Sequence, residues 1–225
     1  MKFLSGALLT AALLAAPIFA QKDVDQRLAA ATDDLHAMMD ASDKGIPQDL
    51  LNRASCVVVI PNLKKGGFIV GAEYGKGFFT CRRPGGVGWS APGGIRISGG
   101  KFGLLIGGAE TDVVMLVMNQ TGMNHLLSDK FQLGGEASAA AGPLGRDASA
   151  MTDAELHAEI LTYSRQRGLF GGLDLAGAAM TEDHDTNRQL YGHDLSNKEV
   201  VTGDVHTPPV ARQFVHELDR ISSRK

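Results

Sequence analysis

Between Ala54 and Met118 the chain alternates short apolar, β-branched runs with glycine, and that pattern restricts what it can become. Fifteen of its 28 glycines fall between Gly66 and Gly108, at strand ends and inside apolar runs, where a residue without a Cβ permits bulges and close backbone approach. Glycine at this density suits a tightly curved, mostly antiparallel sheet, with a barrel as its closed limit, better than a flat parallel one. Cys56 to Ile60 is a continuous apolar run of the kind a strand buried on both faces needs. Residues 61–66 then read as a turn carrying Lys64 and Lys65, and residues 67–72 and 76–82 as a hairpin around Glu73, Tyr74 and Gly75. Alternation places Lys76, Phe78, Thr80 and Arg82 on one face. Further strands are predicted at 95–98, 102–107 and 112–118, and a loop rich in Gly and Pro, 83–94, holds the single tryptophan, Trp89.

This register has a consequence for the two cysteines. With turns at 61–66 and 73–75, Cys56 sits opposite Gly71, Gly71 opposite Gly77, and Cys81 four residues farther on. Four residues at about 3.4 Å and two strand spacings of about 4.8 Å separate the cysteines by roughly 16 Å. A disulfide needs Cα atoms within about 7 Å. The expectation is therefore two separate thiols, with Cys56 buried.

Helices are predicted on both sides of the sheet. Residues 1–20 carry one basic residue, Lys2, and then an uncharged apolar run, and read as a secretory leader cleaved after Ala20. Residues 21–44 place Val24, Leu28, Ala31, Leu35, Met38 and Met39 at helical spacing, with an acidic opposite face, and end at Gly45-Ile46-Pro47. A second short helix follows at 47–54 and a third at 121–128, the latter covering a sheet edge. In the second half, 136–141 reads as strand and Gly142-Pro143-Leu144-Gly145 as a turn. Thr152 with Glu155 forms a capping box, residues 158–165 and 168–178 alternate as strands do, and 183–191 is helical. Residues 208–221 form a last helix with Val210, Phe214, Leu218 and Ile221 on one stripe. No long linker interrupts the chain, so residues 21–225 are expected to form one α+β domain, a curved glycine-rich antiparallel sheet flanked by N- and C-terminal helices.

Charge is distributed unevenly. Residues 54–108 hold Lys64, Lys65, Lys76, Arg82, Arg83, Arg96 and Lys101 against Glu73, a surplus of six positive charges in a chain whose formal net charge is −3. Such asymmetry points to an anionic partner for the β-region. Lys64, Lys65, Lys76, Arg82 and Arg83 are the candidate lipid-binding residues, with Trp89 as a membrane-facing aromatic or a loop anchor. The chain contains no Gly-x-Ser-x-Gly elbow, no phosphate-cradling Gly-x-x-x-x-Gly-Lys-Ser/Thr and no His-Glu-x-x-His, so an enzyme is not indicated. A reading of another class keeps one foothold: Glu182, Asp183, His184 and Asp185 with His193, Asp194 and His206 would serve an envelope enzyme or a metal-dependent protein, although their spacing matches no established metal pattern. No cofactor, no resident metal and no nucleic-acid partner is expected.

Motifs in a fixed order then give a resemblance. Ile46-Pro47 with Leu50-Leu51, Lys65-Gly66-Gly67-Phe68 with Gly71 and Gly75-Lys76-Gly77, Trp89-Ser90-Ala91-Pro92, Tyr163-Ser164-Arg165 with Gly168-Leu169-Phe170-Gly171-Gly172, and Asn187 with Tyr191-Gly192 resemble the SYLF family from Gln21 to about Gly192. SYLF domains occur in eukaryotic proteins that bind phosphoinositide membranes and, in a yeast branch, actin, and bacteria carry exported stand-alone versions. The resemblance implies a lipid-binding module for anionic phospholipid or phosphoinositide-like headgroups. With the leader, it implies a periplasmic or secreted protein peripheral to a membrane, for which actin is not an expected partner.

Overall fold

The protein is described here by a computed structural model covering residues 11–41, 45–67, 70–85, 87–102, 107–145, 151–166 and 168–222. Four long strands carry the architecture: β1 (Cys56–Gly67), β2 (Val70–Cys81), β3 (Gly93–Phe102) and β4 (Gly107–Val117). Five shorter ones extend the sheet: β5 (Lys130–Gln132), β6 (Ala139–Ala141), β7 (Ile160–Gln166), β8 (Leu169–Gly172) and β9 (Ala179–Glu182). The spatial order is β5-β9-β3-β2-β1-β4-β7-β6, with β8 also on β7. Every pair is antiparallel except β6 with β7. The helices are α1 (Ala11–Asp40), α2 (Gln48–Arg53), α3 (Gln120–Leu126), α4 (Asp153–His157), α5 (His184–Tyr191), α6 (Asn197–Thr202) and α7 (Arg212–Ile221), the last entered through a 3₁₀ turn at Pro209–Ala211. This is the expected α+β class, a curled sheet with helices at both ends of the chain.

β1 is buried on both faces, as its apolar run requires. Val57 and Val59 face one core with Val24, Leu28, Leu35 and Met38 of α1, Leu50 and Leu51 of α2 and Phe214 and Leu218 of α7. Cys56, Val58 and Ile60 face the other, closed by Leu126 of α3, Phe131 of β5 and Met180 of β9. The α1 stripe read from periodicity is the buried one. On α7, Phe214 and Leu218 are buried, while Ile221 and Val210 of the preceding 3₁₀ turn pack at the margin, and Phe214 sits 6.3 Å from Phe78 between ring centroids. α3 packs on β5 at the sheet edge, and Thr152 and Glu155 form the capping box of α4.

The turns differ from expectation. Residues 61–66 are not a turn: β1 runs through Pro61 with one extra residue, so Val59 faces Phe78 but Lys64 faces Tyr74 on β2, and Ile60 faces Val113 but Leu63 faces Thr111 on β4. The bulge puts Asn62 in the left-handed region, φ 53°, with its backbone N–H donating to Asp112 Oδ1 at 3.2 Å. Proline and asparagine read as a turn because each suits one, but a bulge uses the same properties: proline lacks a donor where the ladder is broken, and asparagine tolerates positive φ. Glu73, Tyr74 and Gly75 likewise lie inside β2, opposite Gly99, Ser98 and Ile97 of β3.

Because β1 and β2 stay paired across the bulge, from Cys56 opposite Cys81 to Gly67 opposite Gly71, the cysteine expectation reverses. Cys56 pairs directly with Cys81 across β1 and β2, the Cα atoms are 3.9 Å apart, and the two form a disulfide. The 16 Å separation followed from turns at 61–66 and 73–75, both of which lie inside continuous strands. Cys56 is buried as expected, but neither cysteine is free.

In the second half, 136–141 contracts to β6 and 168–178 to β8. The strand expected at 102–107 falls mostly outside the described residues, Phe102 ending β3 and Gly107 opening β4. Of the leader reading, residues 1–10 lie outside the described residues, and Ala11 onward is helix continuous with α1.

Candidate anion-binding cleft

α1 packs on β1 and β2, and a cleft of ≈ 470 Å³ lies between α1 and these strands. Gln26 and Arg27 line it from α1, Asn62 and Lys64 from the β1 bulge, and Tyr74 and Lys76 from β2. Each cation is set by a different neighbourhood. Arg27 donates from Nη1 to Thr186 Oγ1 at 3.1 Å, pairs with Asp23 one turn earlier, and lies over Phe78 with its guanidinium carbon 5.8 Å from the ring centroid. Lys76 Nζ is 2.8 Å from Asp183 Oδ2, and Arg96 Nη2 is 3.4 Å from the same residue's Oδ1. Lys64 is exposed and has no acid within ion-pair distance among the described residues.

Asp183 is 0 % exposed and caps α5, accepting from Thr186 N–H and Oγ1–H. Burial pushes its carboxyl up, but the Lys76 hydrogen bond and charge, the Thr186 hydroxyl and Arg96 outweigh burial and hold it below the usual range. Two cations on one buried carboxylate leave a positive surplus at the cleft wall.

A second cleft, ≈ 610 Å³, adjoins the first and shares Asn62 and Lys64 with it. Its charges are balanced internally. Arg165 Nη2 is 2.6 Å from Asp34 Oδ1 and 2.9 Å from Asp112 Oδ2, fastening α1 to β4 and β7. Burial and the charge of Asp112 push the Asp34 carboxyl up to about 7, against the pull of Arg165. Lys65 Nζ is 3.3 Å from Glu73 Oε2, its partner across the hairpin, and Glu110 adds a further acid to the lining.

Of the six residues singled out from sequence, the structure brings Lys64 and Lys76 into one cleft and Lys65 beside it. Arg82, Arg83 and Trp89 lie at the other end of β2, about 20 Å along the strand from Lys76 at about 3.4 Å per residue. There Trp89 is 1 % exposed with the Arg82 guanidinium 3.9 Å from its ring centroid. Arg82 Nη1 donates to the Ser222 carbonyl at 2.8 Å, and Arg83 Nε donates to the Trp89 carbonyl at 2.9 Å. These three tie the loop after β2 to the end of α7. Arg27 was missed, because Asp23 and Arg27 one turn apart read as a solvated ion pair and nothing local shows that this edge of α1 overhangs β2.

The acidic, histidine-containing stretch is part of the scaffold. Glu182 is buried, and its carboxyl accepts from the Asn197 backbone N–H and, at 3.4 Å, from the Asn187 amide. Burial raises its pKa, with the Asn197 bond opposing. Asn187 Oδ1 accepts from Gly94 N–H at 2.7 Å, Asn197 Nδ2 donates to the Gly94 carbonyl at 3.1 Å, and Tyr191 Oη donates to the Pro92 carbonyl at 2.6 Å. This network docks α5 and α6 onto β3. Its signal was legible in part: Ser196 and Glu199 spell a capping box that starts α6. His184 Nδ1 is 3.1 Å from Asp194 Oδ1, His193 and His206 are exposed, and among the described residues no three His, Cys, Asp or Glu side chains are grouped to hold a metal ion.

A curled sheet between terminal helices, with cationic side chains of α1, β1 and β2 lining one cleft, defines a single α+β fold. The chain belongs to the Ysc84, or SYLF, family: the family described as "Las17-binding protein actin regulator" matches residues 98–221, more than half of the chain. Relatives include LAS seventeen-binding protein 3 of Saccharomyces cerevisiae, 34% identical over 181 residues, which are 79% of this chain and 39% of that protein. Protein YSC84 of the same yeast is 33% identical over 181 residues, 79% of this chain and 38% of that protein. SH3 domain-containing YSC84-like protein 1 of Xenopus laevis is 33% identical over 184 residues, 81% of this chain and 54% of that protein. The chain thus spans from about two fifths to about half of the length of these relatives. The family is named for a regulator, not for a reaction. Several motif residues that carried the resemblance, Asn187, Tyr191 and Arg165 among them, are those that hold α1, α5 and the sheet together.

Proposed function

We propose that this protein is an exported lipid-binding module that docks peripherally on anionic phospholipid in the cell envelope, using the cleft beneath α1. The observation that carries the reading is the unbalanced charge around Lys64 and Lys76 in an otherwise acidic chain. Each basic residue near an anionic surface contributes about 1 kcal/mol, screened within a Debye length of about 10 Å at 0.1 M salt. Export is supported by the buried Cys56–Cys81 disulfide, a bond that persists in oxidising compartments, and by the leader-like composition of residues 1–20.

Co-sedimentation with vesicles of phosphatidylcholine alone, or mixed with phosphatidylglycerol, tests it. The protein is expected to pellet with the anionic vesicles, to be released by salt, and to lose about fivefold in affinity on Lys64→Gln, while Arg82→Ala lowers thermal stability and leaves lipid affinity per folded molecule unchanged. Binding indifferent to vesicle charge and to salt would sink the proposal.

A further inference from the structure

We infer that β8 is a docking edge for a second copy of this chain, which joins it strand to strand about a twofold axis; the inference is independent of the lipid-binding reading. β7 pairs with β4 on one side. Its other side is met by β6 over residues 160–162 and by β8 over residues 163–166, so these two short strands form the margin of the sheet. No described strand pairs with the far side of β8.

Neighbouring bonds fix which backbone groups that edge presents. The Thr162 carbonyl accepts from the Gly142 N–H at 2.9 Å, so Thr162 and, by alternation, Ser164 and Gln166 turn their N–H and C=O toward this margin. Ser164 faces Gly171 and Gln166 faces Leu169. Phe170 and Gly172 therefore point their own N–H and C=O away from β7. At the opposite edge of the sheet β5 carries Lys130 and is met by α3. β8 reads Leu-Phe-Gly-Gly and β6 Ala-Ala-Ala, without the charge or proline that keeps edges from pairing. Leu169 is 75 % exposed. Together with Leu144 after β6 and Leu156 on α4, which packs on β6, it makes this margin the place of three of the five exposed large hydrophobic side chains among the described residues.

A second copy fits because the edge is complementary to itself. Antiparallel pairing centred on Gly171 sets Phe170 opposite Gly172 of the second copy, so both outward-pointing residues exchange hydrogen bonds, and it sets Leu169 opposite Leu173. The half-buried Phe170 ring then covers a glycine, where no side chain competes for the space. The first charge along this line, Asp174, falls beyond it, opposite Gly168. In a chain of formal net charge −3, an uncharged strip is also where two copies approach with least repulsion. A four-residue strand by itself buries less than the roughly 1,200 Å² of a stable interface, so the dimer forms at high protein concentration and dissociates on dilution.

Sedimentation velocity at low and at high micromolar protein tests this, with amide hydrogen exchange read by NMR at the same concentrations. The expected result is a concentration-dependent dimer in which exchange at the Phe170 and Gly172 amides slows by about tenfold or more, while Leu169 and Gly171, already bonded to β7, change far less. Leu169→Lys should weaken dimerisation at least about tenfold, whereas Val87→Lys, at an exposed apolar side chain of the loop after β2, should leave it unchanged. Thermal melts check that both variants fold, and the exchange measurement on the wild-type protein needs neither. A monomer at every concentration with unchanged exchange at Phe170 and Gly172 overturns the inference, as does a dimer that survives Leu169→Lys and leaves those amides unprotected. Slowed exchange at these two amides only when vesicles of phosphatidylcholine and phosphatidylglycerol are added, with the protein still monomeric, also overturns it and assigns the edge to a bilayer.

Discussion

Breaking the Cys56–Cys81 bond is the perturbation whose size the structure specifies best. The two residues face each other on β1 and β2, strands that remain joined by their own ladder when the sulfurs part. Reduction therefore changes the folded state little and acts on the unfolded chain, which regains the freedom of a loop closed over a sequence separation of 25. Loop-closure entropy for that length is about 11.7 cal/mol/K, or about 3.5 kcal/mol at 25 °C. For a chain of 225 residues each kcal/mol shifts the melting temperature by about 2–4 °C, so reduction should lower it by about 7–14 °C. Both sulfurs are fully buried, so reductant must be added under urea and removed after refolding. The assay is urea unfolding of oxidised and reduced wild-type protein, with Cys56→Ala/Cys81→Ala to show how much of the change is lost packing. Peptide mapping without reductant should recover Cys56 and Cys81 in one linked pair. A stability difference below about 1 kcal/mol, or separate free-thiol peptides, would refute the register on which the calculation stands.

Two further perturbations follow from the core and from the α1 clamp. Gly77→Ala places a methyl group onto the Val59 carbonyl oxygen and 2.8 Å from Ile60 Cα, backbone in the central strand, and should cost about 3 kcal/mol or more. Gly100→Ala, whose nearest neighbour is 3.8 Å away, should change stability by less than about 0.5 kcal/mol, and thermal melts of the pair check both. Asp34 has a folded pKa raised from 3.8 to about 7, so the folded state binds the extra proton between those values. Its contribution to stability is full below about pH 4 and is lost as pH rises through about 7. Asp34→Asn should flatten that part of the pH–stability curve, and equal slopes for variant and wild type in urea titrations from pH 5 to 8 would contradict the assignment.

Much of this protein is legible in one dimension because its signals are local. The alternation of β2 placed Lys76, Phe78, Thr80 and Arg82 on one face, the heptad-like spacing of Val24 to Met38 identified the buried side of α1, and Thr152 with Glu155 announced α4. Each follows from backbone period or capping, which depend on neighbours within a few residues. The resemblance of ordered motifs also carried the family, since those residues form the contacts that any such fold requires.

What tertiary structure alone decided is which of two uses a residue serves. Pro61-Asn62 suits a turn and a bulge equally, and only pairing with both β2 and β4 selects the bulge. That one choice keeps β1 continuous from Cys56 to Gly67 and brings Cys56 to Cys81. Positive charge behaves likewise: Lys64, Arg82 and Arg96 are alike in sequence, but Arg82 is spent on Trp89 and Ser222, Arg96 shares Asp183, and Lys64 is left to meet a partner. Asp183 lies 87 positions from Arg96 and Ser222 lies 140 from Arg82, and no local preference encodes the distance between them.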